Sequence, residues 1–198
     1  MKIKANRILE KIIAAGMKKC AAKLSRIAAG KWSVAGVSVL RRGIDEILSG
    51  QGAAPGIRTV VYFEISGKHP FTAMVVFRPE DIALISRVYP GGSSPRLKAI
   101  KQTPEILFPE LGNVILNSFI GCLFDALSGS FLPAAPKCVR GEPQYLLEAV
   151  WMTLNPEQQH NVATVTLNLA CGGGEARVEV IAVISESLEK ALVSSGKK

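Results

Sequence analysis

Three polar side chains with helical spacing are the residues of this chain best suited to chemistry. Glu110, Asn113 and Asn117 are three and four positions apart. At about 100° per residue they share about 60° of arc on one helix face. A carboxylate can pair with a cation, and a carboxamide can both donate to and accept from a water, so the stripe could dock a partner and orient a nucleophile. Periodicity alone is equally typical of a solvated polar stripe, with Glu110 placed for the helix dipole.

The element that must carry this stripe is a predicted helix within residues 106–127. Its other side is broadly apolar, which indicates packing on a core. Because Pro109 cannot donate a backbone hydrogen bond, we expect it in the first turn, so the helix should begin between Ile106 and Pro109. Glu110 would then lie near the helix N-terminus.

The rest of the chain predicts an α+β fold built from two pseudo-symmetric helix, β-hairpin and helix halves. The first half covers about residues 5–90 and the second about residues 103–193, and the Pro- and Gly-rich segment 90–102 links them within a single domain of residues 1–198. Hairpins separated by helices favour a mainly antiparallel sheet covered by helices. A shift of 99 residues aligns Leu24 with Leu123.

The net charge of +8 is concentrated in the first helix. Residues 1–31 hold nine basic groups and one acid, Glu10, and the rest of the chain sums to zero. The alternatives are a solvated helix face, an acidic protein partner, an anionic membrane surface or nucleic acid. Nucleic acid is not expected, because interleaved aromatic residues and a known binding module are both missing. The basic residues that share one side of this helix are Lys4, Arg7, Lys11 and Lys18.

Cysteine usage and hydropathy indicate a cytoplasmic protein without a transmembrane segment. The four cysteines form no CxxC pair and are expected to be reduced thiols. Polar residues interrupt the longest apolar stretch, residues 114–135, and no signal peptide is evident. His69 and His160 are interpreted as solvated loop residues, and no metal or cofactor motif is present.

The run Glu110-Leu-Gly-Asn113, followed after 22 residues by Pro136, resembles the E-x2-N-x22-P motif of the CheC/CheX/FliY family of chemotaxis phosphatases. The segment 136–141 resembles the family's proline-led strand, and the tandem halves are similar to its pseudo-two-fold architecture. The resemblance implies a CheC-like fold and hydrolysis of the aspartyl phosphate on a receiver domain such as that of CheY. In such a site Asn113 would orient the attacking water and Glu110 would pair with a lysine of the receiver.

The resemblance also implies how the work is divided between the two proteins. The receiver would supply the lysine and Mg²⁺, and this chain would bind no cofactor. Asn117, Ile106 and Pro136 would contact the partner, although the family often has Asp or Ser where Ile106 stands.

The first half departs from the motif. The 99-residue shift places Lys11 and Ala14 where a second Glu and Asn would stand, so one site per chain is predicted, and the basic face around Lys11 is expected to bind something acidic. The alternative function is a non-catalytic, CheC-like adaptor that binds a receiver or a flagellar-switch protein. Pairing of sheet edges would allow a homodimer in this family.

Overall fold

The fold is described from a computed structural model that covers residues 2–27, 31–43, 46, 56–88, 104–127, 131–154, 157–171 and 173–195. The predicted linker 90–102 lies outside the described residues. Five helices and seven strands occur in the described part, in this order: α1 (Lys2–Ile27), β1 (Ser33–Gly43), β2 (Arg58–Gly67), β3 (Phe71–Phe77), α2 (Pro79–Val88), α3 (Pro104–Leu127), β4 (Phe131–Pro133), β5 (Lys137–Gly141), α4 (Pro143–Trp151), β6 (His160–Cys171), β7 (Gly174–Ser185) and α5 (Glu186–Ser195).

All seven strands form one antiparallel sheet with a pseudo-two-fold arrangement. The strand order is β1-β6-β7-β3-β2, and β4 and β5 both pair with β2 at the second edge. Read from the first edge, the order is β1 followed by the hairpin strands β6 and β7; read from the second edge, it is the two short strands β4 and β5, side by side along β2, followed by the hairpin of β2 and β3. Each half therefore gives its edge strand to the hairpin of the other half, and the two hairpins meet at β3 and β7. The predicted α+β fold class is confirmed.

Alternating strand residues build two hydrophobic clusters on opposite faces of the sheet. The larger cluster lies under α1, α2, α3 and α5, and the smaller one lies under α4. Buried residues of α3 such as Leu111, Ile115 and Phe119 anchor that helix in the larger cluster. Each fully buried side chain of this size contributes about 1.5–3 kcal/mol. The apolar side predicted for α1 is buried as well, at Leu9 and Ile13 among others.

The start of α3 differs from the prediction. The helix begins at Pro104, and Pro109 lies inside it. The bond that Pro109 cannot donate would go to the carbonyl of Glu105 in the first turn, so only one turn precedes the interruption. Glu110 is consequently more than one turn from the helix N-terminus. The expected dipole effect on Glu110 is therefore wrong, because that effect fades within the first turn.

Helix α3 is also the one described helix with the length and apolar composition to cross a membrane, over Leu107–Leu127. Most of this segment, 61%, is buried inside the protein. It contacts α1, α5 and the strands β2, β3 and β5. These contacts account for its apolar character, because a helix that lies across the centre of a sheet is apolar on most of its circumference.

Candidate active site

Gly112 seats α3 directly on the sheet beside Asn113. A Cβ atom at Gly112 would lie 2.6 Å from Val61 Cβ and 2.7 and 2.9 Å from its two Cγ atoms. These distances are far below the usual 3.5–4.0 Å contact between carbon atoms. Glycine is thus required for the helix backbone to rest on β2 at this point. The backbone position of Asn113 is set by this contact.

Asn113 and Asn117 are joined by a direct hydrogen bond between their carboxamides. Asn117 Nδ2 donates to Asn113 Oδ1 at 2.6 Å. Asn113 is half-buried and Asn117 is exposed. The bond occupies one lone pair of Asn113 Oδ1 and directs the Asn113 amino group away from Asn117. Both donors of that amino group and the second lone pair of Oδ1 remain available for a ligand or a water.

Glu110 completes the stripe one turn before Asn113. Its side chain is exposed, and within the described part of the chain it forms no hydrogen bond or ion pair. An exposed, unpaired carboxylate is ready to bind a cation on a partner without first breaking an internal bond. Ile106 lies in the first turns of α3, but its side chain is outside the described residues.

Pro136 lies beside the sheet edge on which α3 rests. It immediately precedes β5, which pairs with β2 in a register that sets Cys138 opposite Val61. Val61 is the residue under Gly112. Contacts therefore run from Gly112 on α3 to Val61 on β2, and from Val61 to Cys138 on β5. The exposed Pro136 lies two residues before Cys138. Residues 131–139 are strand-prone in sequence, but the structure divides this run into β4 and β5, and Ala134 N donates to Glu64 O between them at 2.9 Å.

A groove between α1 and α3 begins at the stripe. It encloses about 450 Å³, and Asn117 is one of its lining residues. The helices approach closely at Gly16, where a Cβ atom would lie 2.9 Å from Cys122 Sγ. Lys19 and Lys23 line the α1 side, and Lys19 Nζ pairs with Asp125 Oδ2 at 3.4 Å across the groove.

Between positions 7 and 26, the described side chains of α1 include no similar pair of acid and amide. Its exposed residues between positions 7 and 26 are basic side chains or alanines, and its one carboxylate, Glu10, is partly buried and accepts from Val39 N at 3.4 Å. Arg7, Lys11 and Lys18 are exposed, while the side chain of Lys4 lies outside the described residues.

Comparisons with solved structures identify known proteins that have a similar fold. The chain is similar to FliY of Thermotoga maritima, with 20% sequence identity over 98% of this chain and 96% of that chain and a TM-score of 0.67. It is also similar to the FliM middle domain of H. pylori, at 13% identity over 98% and 99% of the two chains with a TM-score of 0.51. A third match, to a FliG–FliM complex of H. pylori, has 12% identity, 96% coverage of each chain and a TM-score of 0.55.

The chain has the FliY fold. The resemblance of the sequence to the CheC/CheX/FliY family is thus confirmed in its fold. No known family model matches the sequence, and no curated protein matches it.

Within this FliY fold, the structure brings Glu110, Asn113 and Asn117 together on one face of α3 and sets Pro136 at the adjoining sheet edge. Sequence reasoning missed Gly112 and Gly16, whose importance lies in close contacts between distant segments. Gly112 lies between Glu110 and Asn113 in the E-x2-N motif, and this position was the sequence signal that could have pointed to its importance. The direct bond between Asn113 and Asn117 was also missed, although their i,i+4 spacing permits it.

Three other side chains that could take part in chemistry, those of Cys20, Cys122 and His160, are packed against neighbouring residues. Burial raises the pKa of Cys20 to about 11 and that of Cys122 to about 12, so both are neutral thiols at pH 7. His160 was expected to be a solvated loop residue, but it begins β6, packs edge-on against Trp151 and has a buried Nδ1 atom. In the described ranges no three His, Cys, Asp or Glu side chains converge as metal ligands do.

Proposed function

We propose that this protein accelerates hydrolysis of the aspartyl phosphate on a response-regulator receiver domain in the cytoplasm. The observation that carries the proposal is the α3 stripe. It combines an amide fixed by a 2.6 Å hydrogen bond with an unpaired carboxylate one turn earlier. The E-x2-N-x22-P motif and the FliY fold give the expected partner, a CheY-like receiver.

The reaction needs a water held in line with the phosphorus atom. The bond from the water oxygen to phosphorus forms, the bond from phosphorus to the aspartate oxygen breaks, and the water's proton ends on the released phosphate. A carboxamide is too weak a base to take that proton, so Asn113 acts by orientation. Its free Oδ1 lone pair accepts from the water, and its amino group donates to a phosphoryl oxygen. In this proposal the receiver holds the Mg²⁺ that offsets the phosphoryl charge.

Asn117 keeps the Asn113 amide in one orientation. Rotation of the Asn113 amide alone by 180° would set the two amino groups against each other, so with Asn117 Nδ2 facing it the 2.6 Å bond holds Asn113 Oδ1 toward Asn117. Fixing a catalytic group before the partner docks lowers the entropic cost of the aligned complex. We therefore assign Asn117 as a positioning residue, a more specific role than the partner contact expected from the sequence.

Glu110 acts in docking. Its exposed carboxylate pairs with the receiver's lysine and sets the register in which Asn113 meets the phosphoryl group. Loss of one member of a charge pair that becomes buried at an interface costs about 2 kcal/mol or more, which is about 30-fold in Kd. Ile106 and Pro136 are proposed to contact the receiver at the borders of the stripe.

An adaptor without catalytic activity is the second candidate. It is favoured by the similarity in fold to FliM, one match being to FliM in complex with FliG. Ile106, at a position where the related motif often has Asp or Ser, favours the adaptor as well. In this case the same stripe would bind a receiver or a switch protein and leave the phosphoryl group intact.

The test is the decay of a radiolabelled phosphorylated receiver from the same cell, in Mg²⁺, with wild type and two variants. Wild type is expected to accelerate decay. Asn113→Ala should remove about 10²-fold of the acceleration at saturating protein, because the water is no longer held in line. Glu110→Ala should act mainly on the concentration needed for half-maximal rate.

Glu80→Gln is the matched control, because it removes a carboxylate on α2 that is 62% exposed and lies outside both the stripe and the groove. It is expected to leave the rate at saturation unchanged. Binding of receivers without faster decay would establish the adaptor instead. Equal activity of Asn113→Ala and wild type would reject the mechanism.

A further inference from the structure

Helix α1 presents a long row of cations that nothing in the described structure neutralises. Arg7, Lys11, Lys18, Lys23 and Arg26 are all exposed, and none forms a hydrogen bond or ion pair. The row spans 20 residues, or about 29 Å of helix, and changes sides along it: at about 100° per residue, Lys23 lies about 140° around the helix from Lys18. Unpaired like charges at this density repel one another, so the row costs stability unless a partner binds it.

The C-terminal part of the row, at Lys23, borders the groove that starts at the stripe. Asn117 on α3 and Lys23 on α1 line the same groove of about 450 Å³, and Asn117 is bonded to Asn113. A domain that places a phosphoryl group at Asn113 therefore covers the groove and reaches α1. The surface it meets is divided by charge, with Glu110 on the α3 side and basic residues on the α1 side.

We infer that the docked partner presents an acidic surface to α1 at the same time as it presents its phosphorylated site to α3. This inference rests on the proposed function and identifies the second part of the docking surface as an electrostatic guide for an acidic receiver domain. A cation toward Glu110 and acids toward Lys19 and Lys23, which both line the groove, fix a single orientation of the partner. The reverse orientation would bring like charges together on both helices.

A lipid surface fits the row less well than a protein. Membrane-bound amphipathic helices insert large apolar side chains beside their cations. Between positions 7 and 26, the exposed residues of α1 are basic residues and alanines such as Ala15 and Ala22, and large apolar residues such as Met17 and Leu24 are buried in the core. Helix α1 can attract an anionic membrane electrostatically, but its described exposed positions offer no large apolar side chain for insertion. An acidic protein surface is therefore the favoured partner.

The experiment measures the association rate of a receiver loaded with Mg²⁺ and beryllofluoride by stopped-flow fluorescence at two salt concentrations. The variants are Lys19→Gln, Lys23→Gln and the double variant, because these two lysines line the groove. Arg177→Gln is the matched control, because Arg177 is also an exposed cation but lies on the other face of the sheet with Glu179. Far-UV circular dichroism confirms that each variant is folded.

We expect the double variant to associate about two- to fivefold more slowly at low salt and to depend less on salt, while Arg177→Gln behaves like wild type. Dephosphorylation at saturating protein should be unchanged, since neither lysine meets the phosphoryl group. Equal rates for wild type and the double variant, or an equal loss with Arg177→Gln, would overturn the inference. The inference would also be overturned if the double variant lost binding to anionic vesicles while its association with the receiver was unaltered. That result would show that these cations bind lipid.

The proposed function and this inference fail in different ways. Receiver decay that wild type does not accelerate counts against the phosphatase, whereas the association measurement still reads the α1 surface in any receiver that binds. Normal acceleration by a double variant with normal association counts against the inference alone.

Discussion

Two glycines of the same helix are expected to respond to alanine with opposite changes in stability. At Gly112 a new Cβ atom would meet three carbon atoms of Val61 at 2.6–2.9 Å, whereas at Gly121 it would meet nothing within 4 Å. Alanine is favoured over glycine inside a helix by about 0.5–1 kcal/mol. Both substitutions gain this amount, so they differ only in the contact with the sheet.

The magnitude at Gly112 follows from that contact. Overpacking in a core costs about 1–3 kcal/mol, and Val61 is fully buried and stiff because it is β-branched. We take about 3 kcal/mol for the overlap, and the helix propensity gain leaves a net loss of about 2 kcal/mol. Since a domain of this size shifts by about 2–4 °C per kcal/mol, Tm should fall by about 4–8 °C. Gly121→Ala should raise Tm by a few degrees.

The assay is urea unfolding followed by circular dichroism, with thermal scans of the same proteins. The unfolding slope m should stay constant, which shows that only the folded state has changed. If Gly112→Ala is as stable as Gly121→Ala, the close seating of α3 on β2 is refuted. A displaced helix also moves Asn113, so receiver dephosphorylation should fall in Gly112→Ala by more than its loss of folded protein explains.

Three further expectations follow from single contacts. Asp81 is buried, accepts from Arg78 Nε at 2.5 Å and from a backbone N–H of β7 at 3.0 Å, so Asp81→Asn should cost about 2 kcal/mol in urea unfolding. The raised pKa values of Cys20 and Cys122 predict stability that is complete below pH 9 and declines above it, up to about pH 11 for Cys20 and about pH 12 for Cys122, because in those windows each thiol ionises in the unfolded chain and not in the folded one. The double substitution Cys20→Ser and Cys122→Ser should flatten this decline in pH-dependent unfolding. Asn117→Asp keeps the shape but not the donor, so the dephosphorylation rate at saturation should fall about fivefold or more, while unchanged receiver affinity and circular dichroism would show that the loss lies in positioning.

The helices and hairpins could be predicted from the sequence because their signals are local. The span of α2 follows from Pro79 and the acids after it, and β3 from a continuous apolar run. The sequence of residues 41–48 has a short helical pattern and predicts a helix, but residues 41–43 extend β1, because pairing with β6 satisfies their backbone groups. Most of the rest of that predicted helix lies outside the described residues.

The candidate site could be predicted only in part, because some of the contacts that form it join residues far apart in the sequence. The helical spacing of Glu110, Asn113 and Asn117 gives their common face. The contact of Gly112 with Val61 joins segments 51 positions apart in the sequence, so no periodicity reveals it. The groove depends on the packing of α1 against α3, which composition alone does not show.

The exchange of edge strands explains why a half without the motif remains essential to the fold. In the sheet β1 pairs with β6, and β4 and β5 pair with β2, so each hairpin takes its outer partner from the other half. A chain of residues 103–198 alone would leave β6 without β1 and α3 without α1, exposing buried residues such as Leu123 and Val165. We expect this fragment to be unfolded or to pair with a second copy, and co-expression with residues 1–102 to restore a folded complex. A monomeric fragment with cooperative urea unfolding would contradict this, and it would show that one half can form the α3 stripe without the other.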